Sequence, residues 1–175
     1  MNNNLLTGIR VLDLSQYLPG PYATQLLADL GAEVVKIEPP SGDPMRVMDG
    51  VPEGQDSGAR YRMINAGKTV LRLNLKDAAD QAKMRALVAQ ADVLLESLRP
   101  GVMDRLGFDR ANLQVINPTL VHVALTGWGY DGPYSKRAGH DINYMAIAGG
   151  LAASGTADQP VAPFPPVSDM ASGMM

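Results

Sequence analysis

The chain has no cysteine, two histidines and one tryptophan among 175 residues, and aromatic side chains make up only 5% of it. Without cysteine there are no disulfides, no thiolate nucleophile and no cysteine-bound zinc, a pattern that fits a cytoplasmic protein. Two histidines in separate contexts, residues 122 and 140, make no ligand cluster, so no metal site is expected. No apolar run approaches the roughly 18 residues of a membrane span. The N-terminal stretch MNNNLLTGIRVLDLS lacks a basic segment followed by a long apolar one, and no leader is read from it. The net charge of −3 supplies no basic surface for nucleic acid or an anionic membrane. Two phosphate-binding signatures are also missing: neither GxGxxG nor GxxxxGK[ST] occurs, which removes the dinucleotide fingerprint and the P-loop.

What is present is a globular composition, 46% hydrophobic and 19% charged, with enough length for one domain with a core. Residues 9–14 (IRVLDL) read as a buried strand. Pro19-Gly20-Pro21 then opens a helix whose apolar positions Ala23, Leu26, Leu27 and Leu30 share one face, and Gly31 stops it. Residues 33–37 (EVVKI) form a second strand, parallel to the first because the connection is far too long for a hairpin. Residues 39–58, rich in Pro, Gly and Asp, read as a long surface loop. Strands at 69–75, 92–96 and 120–125 alternate with helices at 77–91, 102–106 and 109–116. His122, in the otherwise apolar LVHVAL, reads as a sheet residue. The alternation gives an α/β fold, an open and mostly parallel Rossmann-like sheet with flanking helices.

Ligands of such sheets bind beyond the carboxyl ends of the strands, here the loops 15–21, 39–58, 97–101 and 126–140. The last of these ends in His140, next to Asp141. An imidazole beside a carboxylate at a loop mouth suits proton transfer near neutral pH, although a lone loop histidine is commonly bonded to backbone. Residues 139–150 open a helix through Ile142, Met145 and Ile147. Beyond it a proline-rich loop, APFPPVSD, delivers Asp169 and runs into the small residues Ala171-Ser172-Gly173.

From about Leu6 to the last residue, five pieces in this order resemble the class III CoA-transferase family. They are GIRVLDLSQYLPGPYATQLLADLGAEVVKIEPPSGDPMR, NAGKTVLRLNLK, DVLLESLRPGVMDRLGF, LTGWGYDGPYSKRAGHDINY and PFPPVSDMASG. Within that family GHDINY looks most like the α-methylacyl-CoA racemase branch. There the histidine of Gly-His-Asp and the aspartate of the later V-x-D segment, matched to His140 and Asp169, form a two-base pair. In transferase members the equivalent of Asp169 is instead the nucleophile.

The resemblance implies coenzyme A as part of the substrate, with no permanently bound cofactor. It also implies CoA contacts from Tyr17, Asn65, Lys68, Arg99, Arg105, Asp141 and Tyr144. Several members carry Arg after the acidic residue of the KIE strand; here Pro39 stands there, and Arg46 is the candidate substitute. Family members are about twice this length, so the chain reads as the N-terminal part of the large CoA-binding α/β domain, residues 1–175, with the second domain and the C-terminal return absent. The full-length protein is expected to be an interlocked homodimer, or this chain to associate with the missing half. Three functions follow as expectations. The first is a racemase-like isomerase of a 2-methylacyl-CoA, the second a CoA-transferase working through an aspartyl-CoA thioester, the third an inactive CoA-binding fragment.

Overall fold

The computed structural model describes residues 5–156 and 158–174. The first four residues, part of the stretch read above as carrying no leader, lie outside it. Five strands form one sheet, β1 (Arg10–Leu14), β2 (Glu33–Glu38), β3 (Thr69–Arg72), β4 (Val93–Glu96) and β5 (Val121–Ala124). Their order is β3-β2-β1-β4-β5, and every neighbouring pair is parallel. Parallel strands need crossovers, and the helices α1 (Pro19–Asp29), α4 (Ala78–Val88), α5 (Val102–Arg105) and α6 (Arg110–Ile116) lie in them. Strands covered on both faces read as apolar runs. The central strand β1 shows this, with Val11 and Leu12 fully buried.

Successive side chains of a strand face opposite ways, which divides the interior into two layers. On one face Leu12, Leu14, Val35, Ile37 and Leu94 pack with Met84, Val88, Phe108 and Leu113 from the helices α4 and α6 and their connections. Two helix starts are capped by aspartates: Asp77 accepts from Ala79 and Asp80 N–H at 3.0 and 3.2 Å, and Asp109 from Asn112 N–H at 3.0 Å. Asn117, after α6, donates to the carbonyls of Val88 and Ala91 at 3.0 and 2.7 Å, closing the end of α4.

The other face is polar at its centre. The β1–β2 register sets Asp13 beside Lys36, both fully buried under α1. This changes the reading of α1. Its apolar stripe of Ala23, Leu26, Leu27 and Leu30 is only half-buried, whereas Gly20, Pro21, Thr24 and Gln25 are buried. The reason is local: Thr24 Oγ1 donates to Asp13 Oδ2 at 2.6 Å, so the face with the small and hydroxylated residues is the one that meets the strand.

Residues 39–58 are not wholly loop. A one-turn helix, α2 (Met45–Met48), lies within them, and α3 (Ala59–Ile64) follows directly. Both are held by Arg46, which donates to Glu38 at 2.8 and 3.1 Å, to Tyr61 Oη at 2.7 Å and to Asp56 at 3.1 Å. At the end of the chain, α9 (Val167–Met174) packs against α1, and α7 (Asp141–Ile147) packs against both α9 and α8 (Gly150–Ala153). The helix at α9 stands where the sequence suggested only a run of small residues. No helix among the described residues is long and apolar enough to cross a membrane.

Candidate active site

Four segments at the carboxyl edge of the sheet build one cavity of about 420 Å³. They are the β1–α1 turn, the loop after β4, the 126–140 segment after β5 with the start of α7, and the first turns of α9.

The β1–α1 turn contributes Gln16 and Tyr17. Tyr17 has φ of 64°, the left-handed region that side chains other than glycine rarely occupy. Its ring meets the His140 ring edge-on, with centroids 5.9 Å apart at 82°. The loop after β4 contributes Ser97, Leu98 and Arg99. It is anchored by the fully buried Glu96, which accepts from Leu98 N–H at 2.6 Å and from Tyr130 Oη at 3.0 Å. Burial pushes the Glu96 carboxyl up from its usual range.

The segment after β5 folds back over the cavity. The ring of Tyr144 lies so close to Gly127 that any side chain there would overlap it, since a Cβ would sit 1.9 Å from Tyr144 Oη. Trp128 packs edge-on against the same ring at 4.9 Å, and its buried Nε1 has no hydrogen-bond partner among the described residues. Arg137 stacks over Tyr134 at 4.8 Å and lines the cavity with Ser135.

His140 caps the start of α7, its N–H donating to Asn143 Oδ1 at 2.9 Å. One residue on, Asp141 Oδ1 accepts from the N–H groups of Ser168 and Asp169 at 2.6 and 3.1 Å. A carboxylate from α7 thereby satisfies two free donors of the first turn of α9 and offsets its positive end. This joins the two helices and sets Asp169 into the cavity with His140. On its far side α9 touches α1 at Gly173, where a Cβ would lie 2.6 Å from the Pro19 carbonyl oxygen.

Burial pushes the Asp169 carboxyl above the usual range, the neighbouring charge of Asp141 adds to this, and His140 opposes it. Burial and the charge of Asp169 likewise raise Tyr144. The Asp169 carboxylate accepts no hydrogen bond from any described residue. Such a carboxyl, partly desolvated and free of donors, is suited to take up and release protons or to attack an electrophile.

Of the residues singled out in the sequence, the fold brings Tyr17, Arg99, His140, Tyr144 and Asp169 together in this cavity. It does not bring Arg46, Asn65, Lys68, Arg105 or Asp141 to its lining. Arg46 is engaged with Glu38, Tyr61 and Asp56. The Lys68 side chain has no solvent exposure, and its ammonium donates to Asp13, the Pro21 carbonyl, Thr24 and Asn65 at 2.7–3.1 Å. Burial lowers the Lys68 pKa to about 8, against the pull of Asp13. Arg105 is exposed on α5. Asp141 works from behind, through its bonds to α9. Trp128 and Arg137 were not foreseen as lining residues. The only hint was their place in a loop at the carboxyl edge of the sheet. Among the described residues no group of His, Asp and Glu could hold a metal ion.

The whole arrangement lies within a stretch, residues 6–175, that matches the model of CoA-transferase family III. The chain belongs to that family. Similar proteins of known name include an acetyl-CoA:oxalate CoA-transferase of Acetobacter aceti, 42% identical over 87% of this chain and 39% of its own length. The human α-methylacyl-CoA racemase is 38% identical over 96% of this chain and 40% of its own. Among solved structures, a CaiB/BaiF family protein from Brucella suis superposes with a TM-score of 0.90 at 34% identity, covering 96% of this chain and 46% of that one. The parallel sheet with flanking helices is therefore the family III fold. The chain spans about two fifths of the length of these curated relatives. Their names include both transferases and a racemase, so membership fixes the superfamily of CoA-thioester enzymes and not the reaction.

Proposed function

We propose that the site serves a racemase-like isomerase acting on a 2-methylacyl-CoA thioester, with His140 and Asp169 as its two bases. The observation that carries this reading is the meeting of His140, at the start of α7, with Asp169, in the first turn of α9, in one cavity. A proton α to a thioester is weakly acidic. One base removes it, the C–H electron pair passes into the thioester carbonyl to give a planar enolate, and the other residue returns a proton from the opposite face. The raised Asp169 carboxyl holds a proton more readily than an ordinary carboxylate and so is matched to both halves of the cycle. Arg99 and Arg137 supply positive charge for the phosphates of CoA, and Tyr17, Tyr144 and Trp128 supply apolar walls.

The test is α-proton exchange. The protein is incubated with a 2-methylacyl-CoA in D₂O and deuterium uptake is followed by mass spectrometry. Uptake is expected, with a loss of at least about 100-fold in both His140→Ala and Asp169→Ala. Uptake indifferent to both changes would sink the assignment.

A second reading, a CoA-transferase, is favoured by the unbonded Asp169 carboxylate and by relatives named for transfer between acids. It requires an acid acceptor, tolerates His140→Ala, and leaves an Asp169 thioester that hydroxylamine traps. The same assays separate it from the first. A chain that binds CoA but does neither is the third outcome, consistent with its share of the relatives' length.

A further inference from the structure

The side chains of Asp13, Lys36 and Lys68 lie between β1, β2 and α1 with no solvent exposure. Removing such charges from water is costly unless the donors and acceptors are paired, and an apolar cluster would stabilise the same space at least as well. Here they are paired, and most of their bonds converge on one short segment. Asp13 Oδ1 accepts from Ser15 N–H at 2.9 Å and from the Ser15 hydroxyl. Lys36 donates to the Ser15 carbonyl at 2.9 Å and pairs with Asp43 at 3.0 Å. Lys68 donates to the Pro21 carbonyl at 2.7 Å and to Thr24 Oγ1 at 2.7 Å, and pairs with Asp13 at 3.1 Å. Across the turn, Gln16 N–H donates to Ser97 Oγ at 3.0 Å.

The residue enclosed by these anchors is Tyr17. Its left-handed backbone is disfavoured for a residue with a side chain and persists only where its surroundings enforce it. Its side chain makes no hydrogen bond to any described residue; what it meets is the His140 ring, edge-on. None of the three charged groups lines the cavity, so none of them contacts a substrate there.

We propose that the buried Asp13–Lys68 pair, with Lys36, is a positioning device for His140: it fixes the β1–α1 turn so that Tyr17 stands against the imidazole. The functional meaning rests on the reading of His140 as a reacting group. The geometry does not. The charges hold Ser15 and Pro21 on either side of Tyr17, Tyr17 keeps its φ, and its ring stands roughly perpendicular to the imidazole of the exposed His140. Asn65, matched by resemblance to a CoA contact, belongs to the same device, its Oδ1 lying 3.1 Å from the Lys68 ammonium nitrogen and sharing its three N–H donors with the other acceptors.

The experiment is an NMR measurement on the whole 175-residue chain without substrate. Two histidines give two sets of imidazole C–H signals, and His140→Gln assigns them. Tyr17→Ala defines the displacement of the His140 signals when the neighbouring ring is removed. Lys68→Met and Asp13→Asn are each expected to move the His140 signals in that same direction, while those of His122, on the far strand, stay in place. A general loss of structure would move both sets.

Thr24→Val keeps all the charges and deletes the hydroxyl shared by Asp13 and Lys68. It should produce the same displacement to a smaller extent, and it decides the matter if the charge variants do not fold. His140 signals unmoved in a folded Lys68→Met, Asp13→Asn or Thr24→Val chain would overturn the proposal, as would unmoved signals in Tyr17→Ala. Because no substrate is present, a protein that passes this test but exchanges no α-proton would discard the isomerase reading alone.

Discussion

Asp169 sits where its charge is unwelcome. Burial and Asp141 hold its carboxyl above the usual range, so the folded chain keeps that proton at pH values where the unfolded chain has released it. Below the ordinary carboxylate range both states are protonated and the group is neutral in its effect. As pH rises through that range the unfolded state gains, and stability falls until the folded carboxyl ionises as well. Asp169→Asn is therefore expected to melt at a higher temperature than the parent at pH 7, with the difference closing at about pH 3, while α-proton exchange is lost. Melting followed by circular dichroism at the two pH values checks it. At this scale the sequence was informative where a short segment carries chemistry within itself, as GHD and VSD do. Trp128 and Arg137 were illegible because they reach the cavity only when the loop after β5 folds back on Tyr144, and nothing in TGWGYDGPYSKR announces that fold.

Helix α9 is eight residues long and depends on its neighbours at both ends: Asp141 at the start and the α1 backbone at Gly173. Gly173→Val would set methyl groups against the Pro19 carbonyl and the Tyr22 ring. The expected cost is about 1–3 kcal/mol, together with displacement of Asp169 and loss of most exchange activity. Met174→Ala, one position on and exposed, should leave both unchanged. Melting temperature and exchange rate measured on the pair test the contact. Most helices were legible from their apolar period and from punctuating residues, the Pro19-Gly20-Pro21 start and the Gly31 stop of α1 among them. The burial of α1 was not, because its apolar stripe is real but the face opposite Asp13 is chosen by a hydrogen bond from Thr24. Helices α2 and α3 escaped for a similar reason. They are organised by Arg46 and Glu38, eight residues apart, and not by a local apolar period.

Over the whole molecule the alternation of strand and helix was readable because a parallel sheet is covered on both faces, and its strands stand out as apolar runs between turn residues. The buried charges could not be read in the same way. In single strands Asp13, Lys36 and Glu38 look like ordinary polar interruptions, and only the parallel register brings Asp13 beside Lys36. They have a collective consequence for acid. Burial by itself raises the Asp13 and Glu38 carboxyls, but Lys36 and Lys68 for the first, and Arg46 and Tyr61 for the second, leave both below their usual values. Their contribution is present above the ordinary carboxylate range and is lost as pH falls through the depressed folded values. Glu38→Gln should cost about 3–5 kcal/mol at pH 7, since it strands the buried Arg46 charge, and less at an acid pH below the depressed folded value, where the parent carboxylate has taken up its own proton. Urea unfolding at both pH values measures the difference.

The chain has a single tryptophan, and Trp128 is part of the cavity wall, with its indole N–H buried and bonded to no described residue. All indole emission from this protein thus originates at one place, beside the Tyr144 ring and within the lining that includes His140 and Asp169. A molecule that enters the cavity changes the polarity around that fluorophore, and nothing elsewhere in the chain contributes to mask it. The protein carries its own optical gauge of occupancy, and a plain emission titration reads the filling of the cavity before any turnover is assayed.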